Sequence, residues 1–234
     1  MVNQVKLIGA VVRSELRNIG KNLTPLLEVT LAGVDPVGDK RFAWYHQVVH
    51  LGKRAERLAE LLAPGAGAVV VGQLEYRSWE GPDGEKRSRV EVKAAALEVF
   101  TPPLEHLDAD SADNPRLCEG AVNRVTLVGN LTRDPEQGER GPVKAGLAVT
   151  EWVPGRRGKE GHEKAHFFDL VAWNGAGGLL KECGKGCPLL VEGRLVGESW
   201  EAPDGQRRYA TRVEVARVIP LLRPAGGSAD PPAA

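Results

Sequence analysis

Within the stretch GHEKAH, His162, Glu163 and His166 stand in the order of a zinc peptidase. On a helix, histidines four apart share a face and can hold zinc, while the glutamate between them serves as general base. That geometry exists only if the segment is helical. Its neighbours point elsewhere: upstream runs PGRRGKEG (154–161), charged and broken by glycine, and downstream FFDLVAW (167–173) is short, aromatic and strand-like. The segment reads as a loop entering a strand, and neither His46, His50, His106 nor the acids form a second ligand motif. Cys183 and Cys187 in CGKGC offer two thiols without a second pair, and read as a glycine turn. No metal, no cofactor and no catalytic constellation is expected, so the chain is read as a non-enzyme.

Aromatic side chains set among cations offer a different chemistry. Alternate residues of a strand share a face, so the phase of a ring matters. Trp200 falls in register with Glu192, Arg194 and Glu198, and Trp79 with Gln73, Glu75 and Arg77. A tryptophan in phase with charges is not explained by simple core burial; it suits either ligand stacking or packing under another subunit. In the third strands, Tyr45, Gln47, Val49 and Leu51 share one row, as do Phe167, Asp169, Val171 and Trp173, with Phe168, Leu170 and Ala172 inside. For these rows core and surface readings both stand, while Trp44 is assigned to the core and Trp152 ends a strand beside PGRRGK. Cations accompany the rings: Arg77, Lys86, Arg87, Arg89, Arg156, Arg157, Arg207 and Arg208. Such a set suits single-stranded nucleic acid, whose unpaired bases stack for about 1 to 3 kcal/mol each while cations displace counterions from phosphates. Stacking does not sense the sugar hydroxyl, so RNA and DNA are not separated by it.

The elements that must hold these residues are duplicated. NQVKLIG (3–9) returns as NRVTLVG (123–129), and VGQL leading to WEGPDG (79–84) returns as EGRL leading to WEAPDG (200–205). A period near 120 marks a repeated domain. Residues 1–100 and 121–222 are the two units, TPPLEHLDADSADNPRLCEG (101–120) is an acidic linker, and 223–234 is expected to be a disordered tail. The zero net charge hides this pattern: residues 1–100 carry 14 Lys/Arg against 12 Asp/Glu, 101–120 carry 1 against 5, and 121–223 carry 16 against 13. Strands are expected at 4–12, 26–33, 43–51, 68–80 and 86–99, and again at 124–131, 143–151, 166–173, 188–201 and 207–221. KRAERLAELLA (53–63) suits a helix, and GAGGLLKECGKG looks shorter and looser. Five strands with a helix between the third and fourth is the order of the OB fold, so the fold class is all-β: two tandem five-stranded Greek-key barrels. The long fourth and fifth strands around PDG turns predict a β-hairpin arm on each. No run approaches the roughly 18 apolar residues of a membrane span, and Lys6 interrupts the first apolar stretch, so no membrane partner and a cytoplasmic, nucleoid-associated location are expected.

With these stretches in view, notably NRVTLVGNLTRDPE (123–136), WYHQVVHLGKRAE (44–56), VVGQLEYRSWEGPDGEKRSRVEV (70–92) and VEGRLVGESWEAPDGQRRYATRVEV (191–215), the chain resembles the bacterial single-stranded DNA-binding proteins that carry two OB folds. That resemblance implies sequence-tolerant binding of single-stranded DNA and its protection in replication, recombination and repair. It also implies a homodimer with four OB folds, DNA wrapped outside, and replication and repair proteins as further partners. The family's stacking positions fall on Tyr45 and Phe167, Leu51 and Trp173, Trp79 and Trp200, with Trp152 in a loop position. Three residues depart from the pattern: Leu51 lacks a ring, and Gln47 and Asp169 stand where relatives usually carry a cation. Members commonly finish in an acidic tail with a hydrophobic tip, whereas this sequence stops at RPAGGSADPPAA. The missing acidic tail and Asp169 motivate an alternative, a specialised OB-fold interaction protein for replication and recombination factors with weak DNA affinity.

Overall fold

The computed structural model describes residues 2–81, 84, 86–138, 141–155, 160–201 and 207–221. Arg156, Arg157 and the residues expected to form the tail at 223–234 lie outside the described residues, as do the side chains of Lys86, Arg87, Trp200, Arg207 and Arg208. The first half contains β1 (Asn3–Ile19), β2 (Thr24–Val37), β3 (Lys40–Leu51), α1 (Arg54–Ala59), β4 (Gly67–Glu80) and β5 (Lys86–Phe100). Two short strands follow, β6 (Leu107–Ala109) and β7 (Pro115–Leu117). The second half contains β8 (Val122–Leu131), β9 (Glu136–Gln137), β10 (Val143–Val153), β11 (His162–Ala172), α2 (Asn174–Lys181), β12 (Pro188–Glu201) and β13 (Arg207–Pro220).

Alternation of apolar residues gives each strand one face to bury, and a ring of such strands buries all of those faces against one another. In the first barrel β1 pairs with β2, β2 with β3, β3 runs parallel to β5, β5 pairs with β4, and β4 returns to β1. The second repeats the circuit through β8, β10, β11, β13 and β12. Both are five-stranded OB barrels, filled by residues such as Leu7, Leu31 and Leu74 in one and Leu127, Leu147 and Leu195 in the other. A β-bulge sets an extra residue into the fifth strand of each, Ala95 opposite Gly72 and Ala216 opposite Gly193, and the fifth strand's backbone comes so close there that a Cβ on either glycine would lie 2.1 Å from the Lys93 or Glu214 carbonyl oxygen. Only glycine fits there.

The duplicated first strand also joins the barrels. β1 and β8 pair antiparallel with Val5 opposite Val125, Asn3 opposite Leu127 and Leu7 opposite Asn123, so equivalent residues exchange places about a pseudo-twofold axis. Asn3 and Asn123 each make two 2.9 Å hydrogen bonds to the backbone of their own fourth strand, at Leu74 and Leu195. Histidines cross the seam in both directions. His46 Nε2 lies 3.1 Å from the Leu195 carbonyl, and burial pushes its pKa down to about 4. His166 Nδ1 accepts the Tyr76 N–H at 3.1 Å. Asp35 completes the seam opposite Arg194 at 3.4 Å; burial raises its carboxyl pKa against the pull of that guanidinium.

Four features differ from the sequence reading. First, the helix order is reversed: α1 has 6 residues and α2 has 8, although GAGGLLKECGKG looked the looser. Gly177 explains this, because a Cβ there would meet the Ala172 oxygen at 3.0 Å; its absence lets α2 lie close enough to bury Leu180. Second, Val49 and Val171 are buried although they share rows with exposed residues. Third, the linker folds into the β6–β7 hairpin, with Leu117 paired to Gly33 of β2. Fourth, β1 and β2 extend as an additional hairpin to Ile19 and Thr24. His162 to His166 is extended in β11, placing the two histidines about 13 Å apart along the strand, and no peptidase geometry forms. Among the described residues no helix is long and apolar enough to cross a membrane.

Candidate nucleic-acid interface

Tyr45, Trp79, Trp152, Phe167 and Trp173 stand on the outside of this frame. β4 is held by β1 only as far as Gly72, and β12 by β8 only as far as Gly193. Beyond those bulges the fourth and fifth strands continue as two-stranded ribbons to Glu80 opposite Lys86 and Glu201 opposite Arg207. Their register sets Trp79 opposite Arg87 in one arm and Trp200 opposite Arg208 in the other, the same juxtaposition twice. Gly84 turns the first arm with φ +77°, as its PDG sequence requires. Trp79 is 47% exposed, Phe167 and Trp173 49% each, Trp152 63% and Tyr45 39%. Trp44, by contrast, is buried and stacks on His46 with centroids 5.3 Å apart.

Two of the exposed rings are supported from one side. Trp152 packs over Gly161, where a Cβ would come within 2.7 Å of its ring. Tyr76, from the first barrel, meets Phe167, from the second, edge to face at 6.0 Å and 87°. Trp173 borders an open groove lined by Gln137, Val143, Asn174, Gly177 and Lys181. Backing of this kind fixes a ring while leaving its outer side free, and so lowers the entropy lost on stacking.

The cations are less free than their sequence positions suggest. Arg77 and Arg89 both bind the buried Glu91 carboxylate, at 3.2 and 2.7 Å, and Arg89 also donates to Gln47 Oε1 at 3.0 Å. A buried carboxylate needs such partners, so each arginine has only part of its hydrogen-bonding capacity left for a phosphate. Lys164 reaches Glu75 across the seam; burial raises that carboxyl pKa, but Lys164 and Lys93 outweigh it and hold the group below its ordinary range. Arg133 lies 3.7 Å from Asp169 and offsets the acid that departs from the family pattern. Tyr45 donates its hydroxyl to Asp110 Oδ2 at 2.6 Å, and burial together with that carboxylate raises its pKa to about 12.

Two groups escaped the sequence reading. Tyr209, well exposed on the second arm opposite Ser199, follows Arg207 and Arg208 directly, and that adjacency was the available signal. The cluster of Tyr45, Asp110 and Arg116 joins residues 65 and more apart, and nothing local announces it.

Comparison with known proteins agrees with the two barrels. Residues 2–100 and again 122–221 match the single-strand binding protein family. The chain is 42% identical over 238 residues to a single-stranded DNA-binding protein of Deinococcus radiodurans, covering 97% of this chain and 78% of that one. It is 41% identical over 240 residues to one of Thermus aquaticus, covering 98% and 87%. The crystal structure of the wild-type Thermus aquaticus protein superposes with a TM-score of 0.70 at 32% identity, covering 97% of each chain.

Proposed function

The chain belongs to the single-strand binding protein family, and on that premise we propose that it binds single-stranded DNA with little regard to sequence. It shields strands opened in replication, recombination and repair. The carrying observation is that Trp79, Phe167 and Trp173 stand about half-exposed, and Trp152 more so, on two barrels whose interiors are filled by other apolar residues. Bases stack on these rings and on Tyr45 and Trp200. Arg77, Lys86, Arg87, Arg89, Arg156, Arg157, Arg207 and Arg208 neutralise phosphates along the path. Residues 1–100 and 121–222 act as the binding units, 101–120 joins them and 223–234 forms a tail. Two copies associate as a homodimer with four barrels, working in the cytoplasm on the nucleoid alongside replication and repair proteins and catalysing no reaction.

The test is a titration with thymidine homopolymer at several salt concentrations, with the mass of the free oligomer measured alongside. Tryptophan fluorescence falls on binding, and log affinity declines against log salt with a slope of about −0.7 for each phosphate contact. Unchanged fluorescence with no mobility shift at low salt rejects the proposal. The carboxylates already occupying Arg77, Arg89 and Tyr45 favour a second reading, an interaction protein with weak DNA affinity. Weak, salt-labile binding combined with capture of replication proteins would select it.

A further inference from the structure

The linker hairpin is fastened to the first barrel where nucleic acid is expected to pass. β7 pairs with β2 through Leu117 and Gly33, and Arg41 Nη2, from β3, donates to the Cys118 carbonyl at 2.7 Å. The turn between β6 and β7 is ordered by Asp110, whose Oδ1 accepts the Ala112 and Asn114 N–H groups at 2.8 and 3.0 Å. The other oxygen, Oδ2, takes the Tyr45 hydroxyl at 2.6 Å, and Arg116 is bound beside it to Asp108 at 2.9 Å. Hydrogen bonds from Tyr45 and Asn114 hold the Asp110 carboxyl well below the usual carboxylate range, so it is an anion throughout the neutral region. An anion held at the hydroxyl of an outward ring occupies the kind of position a phosphate would take beside a stacked base. The second barrel cannot copy the contact, because Tyr45 is replaced there by Phe167, which has no hydroxyl.

We propose that the β6–β7 hairpin is an internal competitor for DNA at the first barrel, with Asp110 the residue that sets whether that barrel is loaded. This rests on the single-stranded DNA reading. DNA engages the second barrel first, and the first barrel accepts the strand only when Asp110 releases Tyr45. Apparent affinity is then the intrinsic affinity reduced by the fraction of molecules whose hairpin is open.

Three full-length variants test this against thymidine homopolymers of graded length. Tyr45→Phe keeps the ring and the net charge but removes the hydroxyl. Asp110→Asn weakens the same contact from the other side, and Glu119→Gln removes an equal linker charge beside His106, away from Tyr45. Tyr45→Phe and Asp110→Asn bind homopolymers long enough to span both barrels about two- to tenfold more tightly than the wild type, the strength of one hydrogen bond. Glu119→Gln shows no such gain, and homopolymers short enough for one barrel show none with any variant. In the wild type, saturating homopolymer speeds hydrogen exchange at the Asp113, Asn114 and Cys118 amides. Tyr45→Phe binding equal to or weaker than wild type, or slower exchange across the hairpin, overturns the competitor while leaving DNA binding intact. Failure of the wild type to bind any homopolymer overturns the functional reading and this inference together.

Discussion

Replacing Trp173 by alanine separates stacking from charge. A tryptophan covers roughly 200 Å² when fully buried, so a half-exposed one leaves about 100 Å² for a base. At about 25 cal/mol per Å² that area is worth roughly 2.5 kcal/mol, inside the range of about 1 to 3 kcal/mol for one stacked base. The expected loss of affinity is therefore about 70-fold at fixed salt. No phosphate contact is removed, so the slope of log affinity against log salt stays at its wild-type value. The assay is anisotropy of a labelled thymidine homopolymer at several salt concentrations, because the substitution removes part of the intrinsic fluorescence. Thermal unfolding run in parallel shows that the barrel persists, as the covered half of the ring accounts for at most about 2.5 kcal/mol. A folded variant whose affinity changes by less than about threefold, or whose salt slope flattens, refutes stacking at this position.

Leu51→Trp should do the reverse: Leu51 is exposed at the equivalent place, and a ring there raises affinity by about 1 to 3 kcal/mol in the same anisotropy assay. Gly72→Ala and Gly193→Ala each force a Cβ to 2.1 Å from a carbonyl oxygen, and urea unfolding should show a loss of at least about 1 to 3 kcal/mol for either. His46 has a folded pKa near 4, below its unfolded value, so its unfolded form binds the proton first as the medium becomes acidic. Its contribution to stability is complete above about pH 6.5 and is lost as pH falls through 4, an effect of roughly 3 kcal/mol. Urea unfolding of His46→Asn should show a shallower decline than the wild type across that window. Glu91→Gln removes the carboxylate that binds Arg77 and Arg89, and should steepen the salt slope by about 0.7 for each cation that turns to phosphate.

The duplication, the strand order and the arms were legible because they rest on local pattern: a repeat near 120 residues, alternation within each strand, and PDG between two long runs. The phase of Trp79 was legible for the same reason, since one period decides the face. Contacts between the repeats were not. The pairing of Val5 with Val125 follows from the duplication only once β1 is known to have an open edge, and His46 became a seam residue through a carbonyl 149 positions away. The strength of α2 was hidden because Gly177 looks like a helix breaker by propensity, yet it serves close packing. The acids of 101–120 mark a linker, and nothing local shows that Asp110 uses its oxygens to order a turn and hold Tyr45. Arg77 and Arg89 read as free cations because Glu91, two to fourteen residues away, gives no sign in sequence of being buried.

The central claim is that bases rest on the outward rings. Photo-cross-linking of a homopolymer carrying a halogenated uracil, followed by mass spectrometry of the peptides, tests it most directly. Adducts should concentrate on Trp79, Trp152, Phe167 and Trp173, with Trp44 unlabelled. Efficient cross-linking that spares all four rings and falls elsewhere on the barrels would contradict the account.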